Sequence, residues 1–154
     1  MAEVFKVHVE GLAELETKLR ELPDATAKNV LRRVARKRLE PVAQRARELA
    51  PVRSGKLRDS IGVSTKLTRR QRSKNQKFAI DDIEVYVGAG ALPQAHMQEF
   101  GTMHNGPHPF LRPAWDAEKD KVLAGLKDDL WAEIEKAAKR IARKAAKAAA
   151  EAGD

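Results

Sequence analysis

Ala50-Pro51-Val52-Arg53-Ser54-Gly55-Lys56-Leu57-Arg58-Asp59-Ser60-Ile61 is where the hydrophobic pattern of this chain changes. Upstream, apolar residues recur at helical spacing. Pro51 stops that helix, since its ring removes a backbone donor. Ser54-Gly55 supplies a tight turn. Downstream, Leu57, Asp59, Ile61, Val63, Thr65 and Leu67 fall on one side of a period-2 pattern, mostly apolar, which predicts a strand.

Before Ala50, Val30, Leu31, Val34, Ala35, Leu39, Val42, Ala43, Ala46 and Leu49 keep a single apolar stripe. Asp24 is the expected N-cap of that helix, and Pro41 is expected to kink or restart it. Leu12, Leu15, Leu19 and Leu22 form one face of a shorter helix ended by Pro23. Val4 to Val9 alternates as a half-buried strand would, and Gly11 closes it.

After Leu67, Thr68 to Lys77 holds no apolar residue. Such a segment cannot offset its ordering entropy by burial, so a mobile hairpin loop is expected. Ile83, Val85 and Val87 predict the returning strand, closed by Gly88. Pro107, Pro109 and Pro113 punctuate the route into a final helix. There Trp115, Val122, Leu126, Leu130, Ile134, Ala137, Ile141, Ala145 and Ala148 hold a helical stripe. Residues 115–135 carry 7 acids and 3 bases, and residues 136–154 carry 6 bases and 2 acids, an order that complements the helix dipole. Beyond Ile134 the stripe fades to alanine. The chain therefore reads as one domain over 1–154. Its core is 1–134, and an Ala/Lys-rich helical extension over 135–154 is expected to project or to pack on a neighbouring subunit.

Composition narrows the functional classes. The absence of cysteine excludes disulfides and thiolate metal sites. No apolar run approaches the roughly 20 residues that cross a bilayer, and no signal-peptide pattern opens the chain, so a soluble protein of the cytoplasm is expected. The net charge of +8 is concentrated: residues 51–80 carry 9 bases and one acid, Asp59. Arg53, Lys56, Lys66, Arg69, Arg70, Arg72, Lys74 and Lys77 are the candidate contacts. A local patch of this kind steers phosphates or acidic surfaces toward it, although a solvated loop is the commoner fate of a charge run. No aromatic residue interleaves with the bases over 66–77, so contact with nucleic acid would be to backbone only and blind to sequence.

No catalytic, cofactor or metal constellation emerges. Ser54-Gly55-Lys56 fails the phosphate-loop pattern, with Ala50 and Leu57 where glycine and a hydroxyl residue are required. His104 and His108 have helical spacing, but Gly106 and Pro107 forbid the helix that would align them, and His96 has no ligand-rich neighbour. Glu99 is a lone carboxylate. Phe100 and Phe110 are expected to seal the core between hairpin and last helix, with Gly101 required for a positive φ or a close backbone approach. Trp115 and Trp131 suit a core or an interface.

Three signatures in order, Pro51-Val52-Arg53-Ser54-Gly55 with Leu57 and Ser60, then Ala95 with Glu99-Phe100-Gly101-Thr102, then Pro109-Phe110-Leu111-Arg112-Pro113-Ala114, resemble the small tail-component family of long-tailed bacteriophages. Its members are variously described as head–tail joining, neck or tail-completion proteins. The resemblance spans roughly Val4 to Ala124. Ser54 stands where threonine is usual, and Gln94 where an aromatic is expected. The resemblance implies an α+β fold: a small, mostly antiparallel sheet packed against a long kinked helix, plus a long C-terminal helix. It implies a structural virion protein, assembled in the host cytoplasm, that forms a homo-oligomeric ring at the head–tail junction. That ring would connect the portal side of the capsid to the tail and surround the DNA channel. Implied partners are other copies, neck or connector proteins, tail-terminator or tail-tube proteins and the DNA backbone; no cofactor and no membrane are implied. A small basic DNA-binding protein without sequence preference is the competing class.

Overall fold

The computed structural model describes residues 12–67, 69 and 83–153. The expected strand over Val4–Val9 lies outside these residues, as does the expected loop from Thr68 to Lys77 apart from Arg69.

Two helices open the described chain, α1 over Leu12–Arg20 and α2 over Asp24–Leu49. Pro23, with φ −56° and ψ 139°, is the N-cap of α2 and has no side-chain cap bond. Asp24 is therefore the first helical residue rather than the cap. Its charge still favours the positive end of the helix dipole. Pro41 does not end α2: it sits on the exposed side, where water can donate to the carbonyl one turn earlier that the proline leaves without its helix partner.

The stretch after Pro51 corrects the strand expected from Leu57 to Leu67. Gly55 takes φ +77° and launches a short helix, α3, over Lys56–Ser60. Leu57 and Ile61 are four residues apart, so one helical turn brings both toward the same apolar cluster. Only Gly62–Ser64 then forms a strand, β1, which pairs antiparallel with β2, Tyr86–Gly88, in the register Gly62 to Gly88, Val63 to Val87 and Ser64 to Tyr86. Gly88 ends inside the second strand, not after it. The two-stranded sheet packs on α2. Arg47 of α2 ties it down by donating from Nε to the carbonyl of Ile61 at 2.9 Å.

Helix α4, Pro93–Phe100, has proline in its first turn, where no N–H partner is needed. The last helix, α5, runs from Leu111 to Ala152, 42 residues or about 63 Å at 1.5 Å per residue. It starts four residues before Trp115 because Pro113 fits the first turn without cost.

Two apolar clusters hold these elements. Val42, Ala43, Ala46 and Ala50 meet Ile61, Ala89, Phe110, Ala114 and Val122. Leu15, Leu22, Val30 and Val34 meet Leu130, Ile134 and Ala137. The N-terminal half of α2 thus lies against the later part of α5, and its C-terminal half against the start of α5, so the two run in opposite directions. Each fully buried Val, Leu or Ile contributes about 1.5–3 kcal/mol relative to exposure. From Ala142 to Gly153 every residue of the chain is exposed. The result is a mostly helical protein with a small antiparallel sheet on α2 and a long C-terminal helix.

Candidate functional site

The most organised polar site sits between α4 and the start of α5. Glu99 is buried at 6% exposure. Its Oε2 accepts the backbone N–H groups of Phe110 at 2.9 Å and Leu111 at 3.0 Å, and its Oε1 accepts that of Arg112 at 3.0 Å. These are among the donors that an α-helix leaves without internal partners, so one carboxylate caps α5 from a distant element. Its negative charge also meets the positive end of the α5 dipole. The sequence showed Glu99 only as a lone carboxylate. Its position eleven residues before a proline-bounded helix start was the available signal.

The chain between the clamp and the helix is folded tightly. Gly101 has φ +78°, and a Cβ there would stand 2.9 Å from the nitrogen of Pro107. Thr102 accepts the Asn105 N–H on Oγ1 at 3.1 Å, and its own N–H donates to the Asn105 carbonyl at 2.8 Å. His108 N–H donates to the Gln98 carbonyl at 2.7 Å. Gly101, Thr102 and Glu99 therefore act together: they turn the chain back so that Phe110 enters the core. Pro109 and Pro113 flank it on the exposed side.

Phe110 is fully buried, as expected of a residue sealing the core. Phe100 is not, and this corrects its expected role. It is 52% exposed. Adjacent helical residues are turned about 100° apart, so burying Glu99 on α4 directs Phe100 outward. Its ring lies 4.8 Å from that of His96, and the Arg112 guanidinium stands 4.5 Å over its centre. Met97 is also exposed, and Met103, in the turn that follows, is 94% exposed. Trp115 and Trp131 are each a little over one-third exposed, at the edge of α5 rather than in either cluster.

The described basic candidates are spread from the turn before α3 to the segment after β1. Arg53, Lys56, Lys66 and Arg69 are exposed. Arg70, Arg72, Lys74 and Lys77 lie outside the described residues. Pro51 is exposed, and Gly55 is buried at the left-handed turn. Among the described residues no group of three His, Asp or Glu side chains could hold a metal ion, and no helix is long and apolar enough to cross a membrane.

A second polar feature joins α2 to α5. Asp129 takes Arg38 at 2.7 Å and Lys37 at 3.3 Å, and Glu133 takes Arg33 and, at 3.2 Å, Lys136. The Arg38 hydrogen bond, followed by that of Lys37, holds the Asp129 carboxyl below its ordinary range against the opposing effect of burial. Lys136 and then Arg33 do the same for Glu133. A methyl group at Gly125 would overlap the Arg38 guanidinium, so a larger residue there would require the end of Arg38, which holds Asp129, to move.

Comparison with known proteins places these features. No curated protein and no solved structure matches the chain. A family model described as "Bacteriophage HK97-gp10, putative tail-component" matches residues 13–101, from the first turn of α1 through Gly101. It takes in the Pro51–Gly55 turn, the sheet and the Glu99-Phe100-Gly101 segment, and stops before Pro109 and α5. That family is structural, not enzymatic. With more than half of its length matched, the chain belongs to the HK97 gp10-like family of phage tail components.

Proposed function

We propose that this tail component acts at the head–tail junction, as a ring of identical subunits connecting the portal side of the capsid to the tail around the DNA channel. The observation that carries the reading is the group of large apolar side chains left in water on a rigidly held segment: Met97, Phe100 and Met103, beside the Glu99 clamp. Three large apolar side chains exposed within seven residues of chain suit protein–protein contact, and a pinned backbone lowers the entropy lost on docking. A ring requires a heterologous contact, in which this patch meets a different surface of the next copy. Neck or connector proteins on one side and tail-terminator or tail-tube proteins on the other would complete the junction. Arg53, Lys56, Lys66 and Arg69, with Arg70, Arg72, Lys74 and Lys77, would face the DNA backbone or an acidic adjoining ring.

The test is complementation of a phage lacking this gene with the Phe100→Asp, Met103→Asp double variant. The variant subunit is expected to keep its thermal unfolding temperature, because neither side chain is in the core, and to yield heads and tails that do not join. Normal infectious particles from the double variant would remove the patch from the account. Replacing Arg69, Arg70, Arg72 and Lys74 by Ser tests the basic segment in the same assay, with impaired joining or DNA retention expected.

A further inference from the structure

The exposed end of α5 carries a cationic row that the neck reading leaves unused. Lys136, Arg140, Arg143 and Lys147 are spaced four, three and four residues apart. At 100° per residue they fall within an arc of about 60°, along about 16 Å of helix axis. The row points away from the seam of Leu130, Ile134, Ala137 and Ile141 that packs on α1 and α2, so it faces solvent. Arg140 and Arg143 make no ion pair among the described residues. Lys147 has only a loose one, 3.8 Å from Glu151, with both side chains largely exposed.

The row continues onto α2 in a specific way. Arg33 and Lys136 share Glu133, and Lys37 stands beside Arg38 on Asp129. Each carboxylate is thus surrounded by two cations. The acids are the sheltered members: Asp129 and Glu133 side chains are 19% and 23% exposed, against 72% for Lys37 and 67% for Lys136. The surface that water and ligands meet is therefore positive even where the formal charges nearly balance. Pairing also holds the inner cations in place, so less side-chain freedom is lost when an anion arrives.

We propose that this strip, from Lys37 and Arg33 through Lys136, Arg140 and Arg143 to Lys147, binds the phosphate backbone of duplex DNA without regard to sequence. Lysine and arginine in a line neutralise successive phosphates, and the released counterions supply the free energy. The face offers no aromatic ring for stacking, which disfavours single strands. Contacts from such a row to successive phosphates carry no sequence information, which makes the binding positional. The choice of DNA as the source of the phosphates rests on the neck reading; the anion chemistry rests on the strip alone.

The experiment measures affinity of the full chain for a short random-sequence duplex across a salt series. The comparison is a variant with Lys136, Arg140, Arg143 and Lys147 changed to Gln, which keeps helix propensity. Wild type is expected to bind at low salt with a steep negative log–log slope. The variant is expected to lose on the order of tenfold or more in affinity and to flatten the slope by about 3.6 units if each of the four side chains neutralises one phosphate, at roughly 0.9 per contact, with its helical circular dichroism unchanged. Absence of wild-type binding at low salt, or equal affinity and slope in the variant, would overturn the assignment. Unchanged DNA binding together with lost head–tail joining in complementation would give the strip to an acidic virion protein instead. Normal binding loss with normally joined particles would uphold the strip while counting against its role in the neck.

Discussion

Glu99 Oε2 accepts the backbone N–H of Phe110 at 2.9 Å, so the last turn of α4 supplies the N-terminal cap of α5. One bond thereby fixes where the long helix starts and how Phe110 enters the core. Changing Glu99 to Ala leaves the buried Phe110 N–H without an acceptor, at about 1–3 kcal/mol for that donor alone, with the two part-buried donors adding to it. Glu99→Gln is expected to fall between the two, since it keeps an acceptor oxygen but not the charge. Chemical denaturation measures both, and a change within about 0.5 kcal/mol for the alanine variant would show that water replaces the carboxylate without loss.

The two phenylalanines should separate cleanly. Phe110→Ala is expected to cost about 3–5 kcal/mol, because the ring is fully enclosed among Val42, Ala46, Ile61 and Ala114. Phe100→Ala should stay within about 0.5 kcal/mol apart from the modest loss of its Arg112 contact. Equal losses at both sites would mean that the exposed ring is covered in solution.

Much of this was legible in the sequence and some was not, for physical reasons. The leucine spacing of α1 and the stripe of α2 mark their helices, because Leu15 and Leu19 in the first and Val30 to Ala46 in the second face the core, while Leu12 and Leu49 at the helix ends stay exposed. Leu57 and Ile61 satisfy a period of two and a helical turn equally well, and only the left-handed Gly55 decides between them. Phe100 and Phe110 look alike in sequence, since burial of the first is decided by its neighbour Glu99 winning the inward position. Glu99 itself acts on a helix eleven residues away, beyond the reach of any local pattern. The doubly paired Asp129 and Glu133 depend on α2 lying along α5, which no spacing within either helix reveals.

Gly101→Ala is expected to destabilise more than a typical surface change, by about 1–3 kcal/mol. The residue takes a left-handed φ of +78°, and its new methyl would meet backbone atoms that cannot swing aside. Differential scanning calorimetry reads the loss. An unaltered melting temperature would show that the turn over Asn105–Pro107 gives way freely.

Acid should loosen the α2–α5 contact in a defined direction. Asp129 and Glu133 are held below their ordinary values by paired cations. Such groups stabilise the fold above the unfolded-state values, and that contribution is lost as pH falls through the folded-state ones. The loss should begin near pH 4.5 for Glu133 and 3.8 for Asp129 and deepen below. The Asp129→Asn, Glu133→Gln variant should be less stable at neutral pH and show a shallower acid limb. An acid limb identical to that of wild type would remove these pairs from the linkage.

The central claim is a place at the head–tail junction, and electron microscopy of particles made without this protein tests it most directly. The account predicts DNA-filled or emptied heads and complete tails lying apart, with joining restored when the protein is supplied from a plasmid. Joined, infectious particles formed in its absence would contradict the account.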